Sequence, residues 1–210
     1  MRMALVWGLA VLALVSTAGA QAVCDEGILA SGPMDAYAGS GACAPCHERE
    51  YGPWSVSIMA TFVAFARDLE RIPGKWKKAP FDRDDVFLVV GKRRKVAFVD
   101  RSWTVIPHEY RLAKGKWKEN WTGGHDYRSR CGPCHLTGSN PGTGEFKELG
   151  VGCEACHGPG AGHVSSQAAA DIIVPGRTDG APVLDTCRRC HNQRNRHFEA
   201  IAGFVGPFHR

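Results

Sequence analysis

Four copies of one five-residue pattern dominate this chain. They are Cys43-Ala-Pro-Cys46-His47, Cys131-Gly-Pro-Cys134-His135, Cys153-Glu-Ala-Cys156-His157 and Cys187-Arg-Arg-Cys190-His191. Each reads Cys-x-x-Cys-His, the attachment pattern of c-type haem. Two intervening residues let both thiols reach the vinyl groups of one porphyrin, and the adjoining histidine turns its imidazole onto the iron as proximal ligand. The alternatives fit less well. Zinc sites also use Cys-x-x-Cys but do not demand a histidine directly after every pair. A thioredoxin-like site needs one such pair beside a strand–helix unit, not four. Disulfides within these pairs would close loops too short to constrain much chain. Eight of the nine cysteines therefore predict four covalently attached haem c groups, with His47, His135, His157 and His191 as proximal ligands.

Porphyrins in that number change how such a chain folds. It has 25 glycines and 12 prolines in 210 residues, and only 44% of it is apolar, so loops are expected to be abundant and the macrocycles to supply much of the core. The expected fold is a multihaem cytochrome, mostly α and irregular loops wrapped around four haems, with a small β meander between the first and second motifs. Val86–Val90 and Lys95–Val99 read as strands joined by a turn. Trp103–Tyr110 and the Lys114-Gly115-Lys116 turn suggest another pair, which puts the meander at about 81–122. Pro53 to Arg67 has helical character with Pro near its start, and should end by Pro73. Residues 131–191 hold three motifs among many Gly and Pro, which predicts loops and short helices.

The chain opens with Met-Arg-Met, an apolar run from Ala4 to Val15 and an Ala-x-Ala site ending at Ala20, the three parts of a secretory signal peptide. Residues 1–20 are read as that signal, cleaved after Ala20, 21–40 as an N-terminal segment and 41–210 as the tetrahaem domain. The apolar run is short for a span of about 20 residues. Cys24 follows Gln21-Ala22-Val23, which does not resemble a lipobox, so it is read as a free thiol, with an intermolecular disulfide as the alternative. Export places the protein in the periplasm or outside the cell. Losing Arg2 leaves 25 basic against 21 acidic side chains, a balance of +4, and haem propionates cancel most of it. Lys75, Lys77 and Lys78, and Lys92 to Lys95, then read as a solvated face and a hairpin tip before they read as a docking patch. No nucleic-acid motif is present.

Four irons also need distal ligands or open faces. Outside the motifs the chain offers His163, His197, His125, His108 and His209. His163 and His197 each follow a proximal histidine by six residues, a loop too short to round the porphyrin edge, so each points to a neighbouring haem. Met59 shares a helical face with Val56, Ala60 and Val63, where core packing is the ordinary role.

The run Gly150-Val151-Gly152-Cys153-Glu154-Ala155-Cys156-His157-Gly158-Pro159-Gly160, with His163 close behind, resembles the hallmark of the tetrahaem cytochrome c-554 family, within the group related to hydroxylamine oxidoreductase and pentahaem nitrite reductase. The first motif, followed by Trp54, Ser57 and Ala60, is similar to that family's Cys-x-x-Cys-His…Trp-x-x-Ser-x-His-Ala. The resemblance covers roughly 41–66 and 131–191. It implies periplasmic electron transfer, closely packed haem pairs and mostly bis-histidine irons. One departure stands out. Where the family pattern has its distal histidine, this chain has Met59, so the register implies a thioether ligand there and a raised reduction potential. The resemblance also includes a second haem with an open face, which His108 and His125 could close at the His135 iron.

The leading expectation is an exported electron carrier, not an enzyme, that relays single electrons between redox partner proteins, in contact at most with the membrane periphery. A small-nitrogen-compound redox enzyme would need an open iron, and no lysine-ligated variant motif is present. A filament of copies acting as an extracellular wire, or a smaller homo-oligomer, is the third reading.

Overall fold

The computed structural model describes residues 33–175 and 183–191. Residues 1–20, Cys24, His197 and His209 lie outside them. Among the described residues no helix is long and apolar enough to cross a membrane.

The largest element is an antiparallel sheet of five strands in sequence order: β1 (Val63–Phe65), β2 (Val86–Val90), β3 (Lys95–Asp100), β4 (Val105–Arg111) and β5 (Lys116–Glu119). Alternation along the strands sends side chains to two faces, and both are covered. On one, Val86, Val89, Val96, Phe98, Ile106 and Tyr110 pack with Trp76, Phe81 and Trp117. On the other, Val63, Leu88, Val99 and Val105 pack with Tyr127, Leu136 and Cys131, which brings the second motif onto the sheet. Leu88, Phe98 and Val99 are fully buried; each such side chain contributes about 1.5–3 kcal/mol through burial. Glu109, 1% exposed, is held between Lys95 Nζ and Arg111 Nε, each 2.5 Å from one of its oxygens. That pairing is what makes a buried acid tolerable in a sheet.

The β2–β3 and β4–β5 turns fall where the sequence places them. Gly91 has φ +102 and a Cβ there would run into the Lys95 carbonyl, so the turn requires glycine. The helix expected over 53–67 does not form as one piece. Helix α1 (Glu48–Ser55) begins before Pro53, and Ser57 ends the run by accepting the Ala60 N–H to cap a short α2 (Ile58–Thr61). Val63–Phe65 then leave as β1 and pair with β2. Phe62-Val63-Ala64-Phe65 suits a pleated surface better than a helix, and the open edge of β2 supplies the ladder. The apolar face drawn through Val56, Met59, Ala60 and Val63 is therefore broken: Val56 is 78% exposed while Val63 is a buried strand residue.

From residue 127 onward the helices are single turns or little more: α3 (Tyr127–Arg130), α4 (Gly132–His135), α5 (Glu154–His157), α6 (Ala161–Ser166) and α7 (Val183–Arg188). A two-stranded ribbon, β6 (Leu136–Thr137) with β7 (Glu148–Leu149), links the second motif to the third. Helices this short do not persist in water by propensity alone.

Candidate haem-binding site

The four motifs adopt one local shape. In each, the second cysteine donates its N–H to the carbonyl of the first, at 3.3, 3.2, 3.1 and 3.2 Å in chain order, and the histidine donates to that same carbonyl at 2.9, 3.0, 3.0 and 2.8 Å. One turn of helix thus puts two thiols and an imidazole on one side of the chain, the arrangement thioether attachment with a proximal ligand needs. None of the eight cysteines is in a disulfide. Among the described residues no three His, Cys, Asp or Glu side chains converge as a bare metal ion would require.

Hydrogen bonds at Nδ1 orient the imidazoles of His157, His163 and His135. His157 Nδ1 lies 2.9 Å from the Ile173 carbonyl and His163 Nδ1 2.9 Å from the Ala168 carbonyl, so each donates there and leaves Nε2 as the lone pair for a metal. His135 Nδ1 meets the Tyr127 hydroxyl at 3.0 Å. Tyr127 is 2% exposed, and burial pushes its phenol well above the usual 10.0, so it stays protonated. The sheet holds that tyrosine in place. Asp126 caps α3, Trp103 stacks on the Tyr127 ring at 6.4 Å, and the Trp103 carbonyl accepts the Tyr127 N–H. A groove of about 340 Å³ flanks His157, lined by Pro159, Asp171, Ile172 and Ile173.

The third motif is the hub. Burial and the neighbouring Cys153 thiol push Cys43 up to about 12, and burial with Cys187 nearby pushes Cys156 up to about 11, so the first and fourth motifs both adjoin the third. Gly150 N–H donates to the His135 carbonyl, and Thr137 Oγ1 accepts from Gly152, which ties in the second. The approach to the first motif is locked by Ser40. Its hydroxyl donates to Glu148 at 2.6 Å and accepts the Cys153 N–H at 2.9 Å.

Two candidate ligands meet across a gap. The rings of His47 and His163 are 6.2 Å apart, centroid to centroid, and tilted by 31°. The other candidates are dispersed. Met59 is half-buried in α2, where its carbonyl accepts the Val151 N–H at the threshold of the third motif. His125 is half-buried in the loop before α3, two residues from Tyr127. His108 stacks on Phe81 at 6.2 Å and borders a groove with Lys78, Trp117 and Lys118. That places it with the aromatic cluster, on the sheet face opposite Cys131, so the structure does not bring it to the second motif. Period-2 alternation along β4 decides this, and a reading of candidate ligands by residue type does not include it. Sequence reasoning also passed over Ser40, Glu148, Glu154 and Tyr127, all polar residues whose roles come from long-range contacts.

Residues 101–158, spanning the second and third motifs and strands β4 and β5, match the family model for cytochrome c554 and c-prime. Two solved structures share the fold. The outer cell wall cytochrome OcwA is 24% identical with a TM-score of 0.63, over 74% of this chain and 37% of that one. The undecahaem cytochrome from the S-layer of Carboxydothermus ferrireducens is 25% identical with a TM-score of 0.59, over 83% of this chain and 29% of that one. This chain is a multihaem c-type cytochrome. The cytochrome spans about a third of the length of these two solved chains. No curated protein gives a significant match to it. Membership of this class implies covalently bound haem c, and the turn, the unlinked cysteines and the oriented imidazoles of the cytochrome fit that group.

Proposed function

We propose that the cytochrome is exported and relays single electrons through four haem c groups, one on each motif. Cys43 and Cys46, Cys131 and Cys134, Cys153 and Cys156, and Cys187 and Cys190 would hold them, with His47, His135, His157 and His191 as proximal ligands. The observation that carries this reading is the gap between His47 and His163. Two metal–imidazole bonds of about 2 Å, with a nitrogen-to-centroid radius of about 1.1 Å on each ring, give roughly 6 Å between centroids; the rings stand 6.2 Å apart. His163 would therefore be the distal ligand at the His47 iron, where the short loop behind His157 pointed only to some neighbouring haem.

Bound haem supplies reversible one-electron chemistry, with a potential set by its axial ligands and surroundings. The chain's part is to fix those ligands. The Ile173 and Ala168 carbonyls hold imidazole tautomers at His157 and His163, and Tyr127 orients His135. Contacts from the third motif to the other three support a branched relay with the third haem at its centre. Met59 is the proposed thioether ligand for one iron, and His125 and His197 are proposed for others. Residues 1–20 would direct export, cleaved after Ala20, to the periplasm or beyond. The neighbours named for a cell wall and an S-layer favour the outer surface, with other redox proteins as partners.

A spectroelectrochemical titration tests the relay. The expected result is reversible uptake of four electrons per chain, with the reduced wild-type protein inert to carbon monoxide. Stoichiometric carbon monoxide binding would instead identify an open iron and favour the enzyme reading.

A further inference from the structure

Glu154 fills a variable position of the third motif, where thioether attachment asks for no acid. It is 3% exposed. Its Oε1 accepts the Ala38 N–H at 2.8 Å and the Gly160 N–H at 2.7 Å, and its Oε2 accepts the Gly39 N–H at 2.7 Å. An acid buried this deeply is tolerated only because these donors satisfy it. The donors come from two segments far apart in sequence. Ala38 and Gly39 lead through the Ser40–Ala42 turn into Cys43 and His47. Gly160 caps α6, which carries His163. One carboxylate thus fastens the approach to His47 and the start of the His163 helix to a single point on the rigid turn of α5.

We propose that Glu154 is a positioning residue that sets the His47–His163 spacing across one iron. This rests on those two histidines sharing a haem. Glu154 touches neither histidine; it acts through the backbones that carry them. Its negative charge, buried at the junction of the first and third motifs, also favours the oxidised form of that haem.

The test uses holoprotein of the wild type, His163→Ala, Glu154→Ala, Glu154→Gln and the double variant. Electron paramagnetic resonance is recorded on the oxidised form, and carbon monoxide binding and redox titration on the reduced form. His163→Ala should convert one iron from low to high spin and bind one carbon monoxide per chain. Glu154→Ala should open the same iron, and the double variant should bind no more carbon monoxide than His163→Ala alone. Glu154→Gln keeps an oxygen for Ala38 and Gly160 but loses the Gly39 bond and the charge. It should stay mostly low-spin while the potential of that one haem rises. If His163→Ala opens no iron, the ligand pairing is wrong and this inference falls with it. If His163→Ala opens one iron while both Glu154 variants match the wild type, the pairing stands and the positioning role is refuted. Equal disturbance of every haem in Glu154→Ala, with Glu154→Gln unchanged, would also refute it by showing a general structural role. Should Glu154→Ala yield no holoprotein, Glu154→Gln decides: a shift confined to one haem supports the role, and wild-type behaviour overturns it.

Discussion

Tyr127→Phe isolates one hydrogen bond in this protein. The ring, 2% exposed and packed against Trp103, stays in place, and only the hydroxyl that meets His135 Nδ1 at 3.0 Å is lost. A partner at Nδ1 makes an imidazole a stronger donor to its metal, which stabilises the oxidised iron. Removing it should raise the potential of the His135 haem. The size follows from the bond. A neutral hydrogen bond is worth about 0.5–1.5 kcal/mol net. With about 1.4 kcal/mol per tenfold change and 59 mV for one electron, a rise of roughly 20–60 mV is expected. Stability should fall by about 1 kcal/mol, since a single buried bond is lost without a cavity. The assay is a redox titration of wild type and variant with the haems resolved by their spectra, beside a denaturant melt. The phenol is held protonated well above 10.0, so the wild-type potential of this haem should show no tyrosine-linked break with pH below about 10. A change confined to a different haem, a fall in potential, or no shift above a few millivolts would refute the argument that Tyr127 tunes His135.

Further tests follow from the same contacts. Ser40→Ala removes the bridge between Glu148 and the Cys153 N–H, and should cost about 1–3 kcal/mol in a thermal or denaturant melt. Gly152→Ala should cost a similar amount, because a Cβ there would strike the Glu148 carboxylate and the Ser40 hydroxyl. Leu88→Ala opens a cavity between the sheet and the second motif and should cost about 2–5 kcal/mol, with the haem attachment count by intact mass unchanged. Met59→His exchanges thioether for imidazole and should lower the potential of one haem; unaltered potentials and spectra would remove Met59 from the ligand set.

How much of this was legible in the sequence depends on range. The four motifs are contiguous and each closes its own turn, so spacing alone marks where two thiols and an imidazole come together, and nearest-neighbour alternation marks β2 to β5. The 53–67 helix failed because its end depends on a partner far along the chain: β1 forms where β2 offers an unpaired edge. Residue type makes His108 a candidate ligand, whereas its strand phase turns it toward Phe81 and Trp117. Loop length alone points His163 away from the haem of its own motif, and only the folded chain sets its ring 6.2 Å from that of His47. The sequence shows Glu154 only as part of the third motif's run and not its role, since its donors lie 115 and 116 residues upstream and six downstream.

In the proposed relay each Cys-x-x-Cys-His turn carries its own covalently attached haem. Intact-mass spectrometry of the denatured, exported protein tests it most directly, with tryptic peptides assigning each group to its motif. The expected mass is the polypeptide plus four haem groups, one on each of the peptides holding Cys43–Cys46, Cys131–Cys134, Cys153–Cys156 and Cys187–Cys190. A mature mass carrying three haems or fewer, or any of these pairs recovered as thiols or a disulfide, would contradict it.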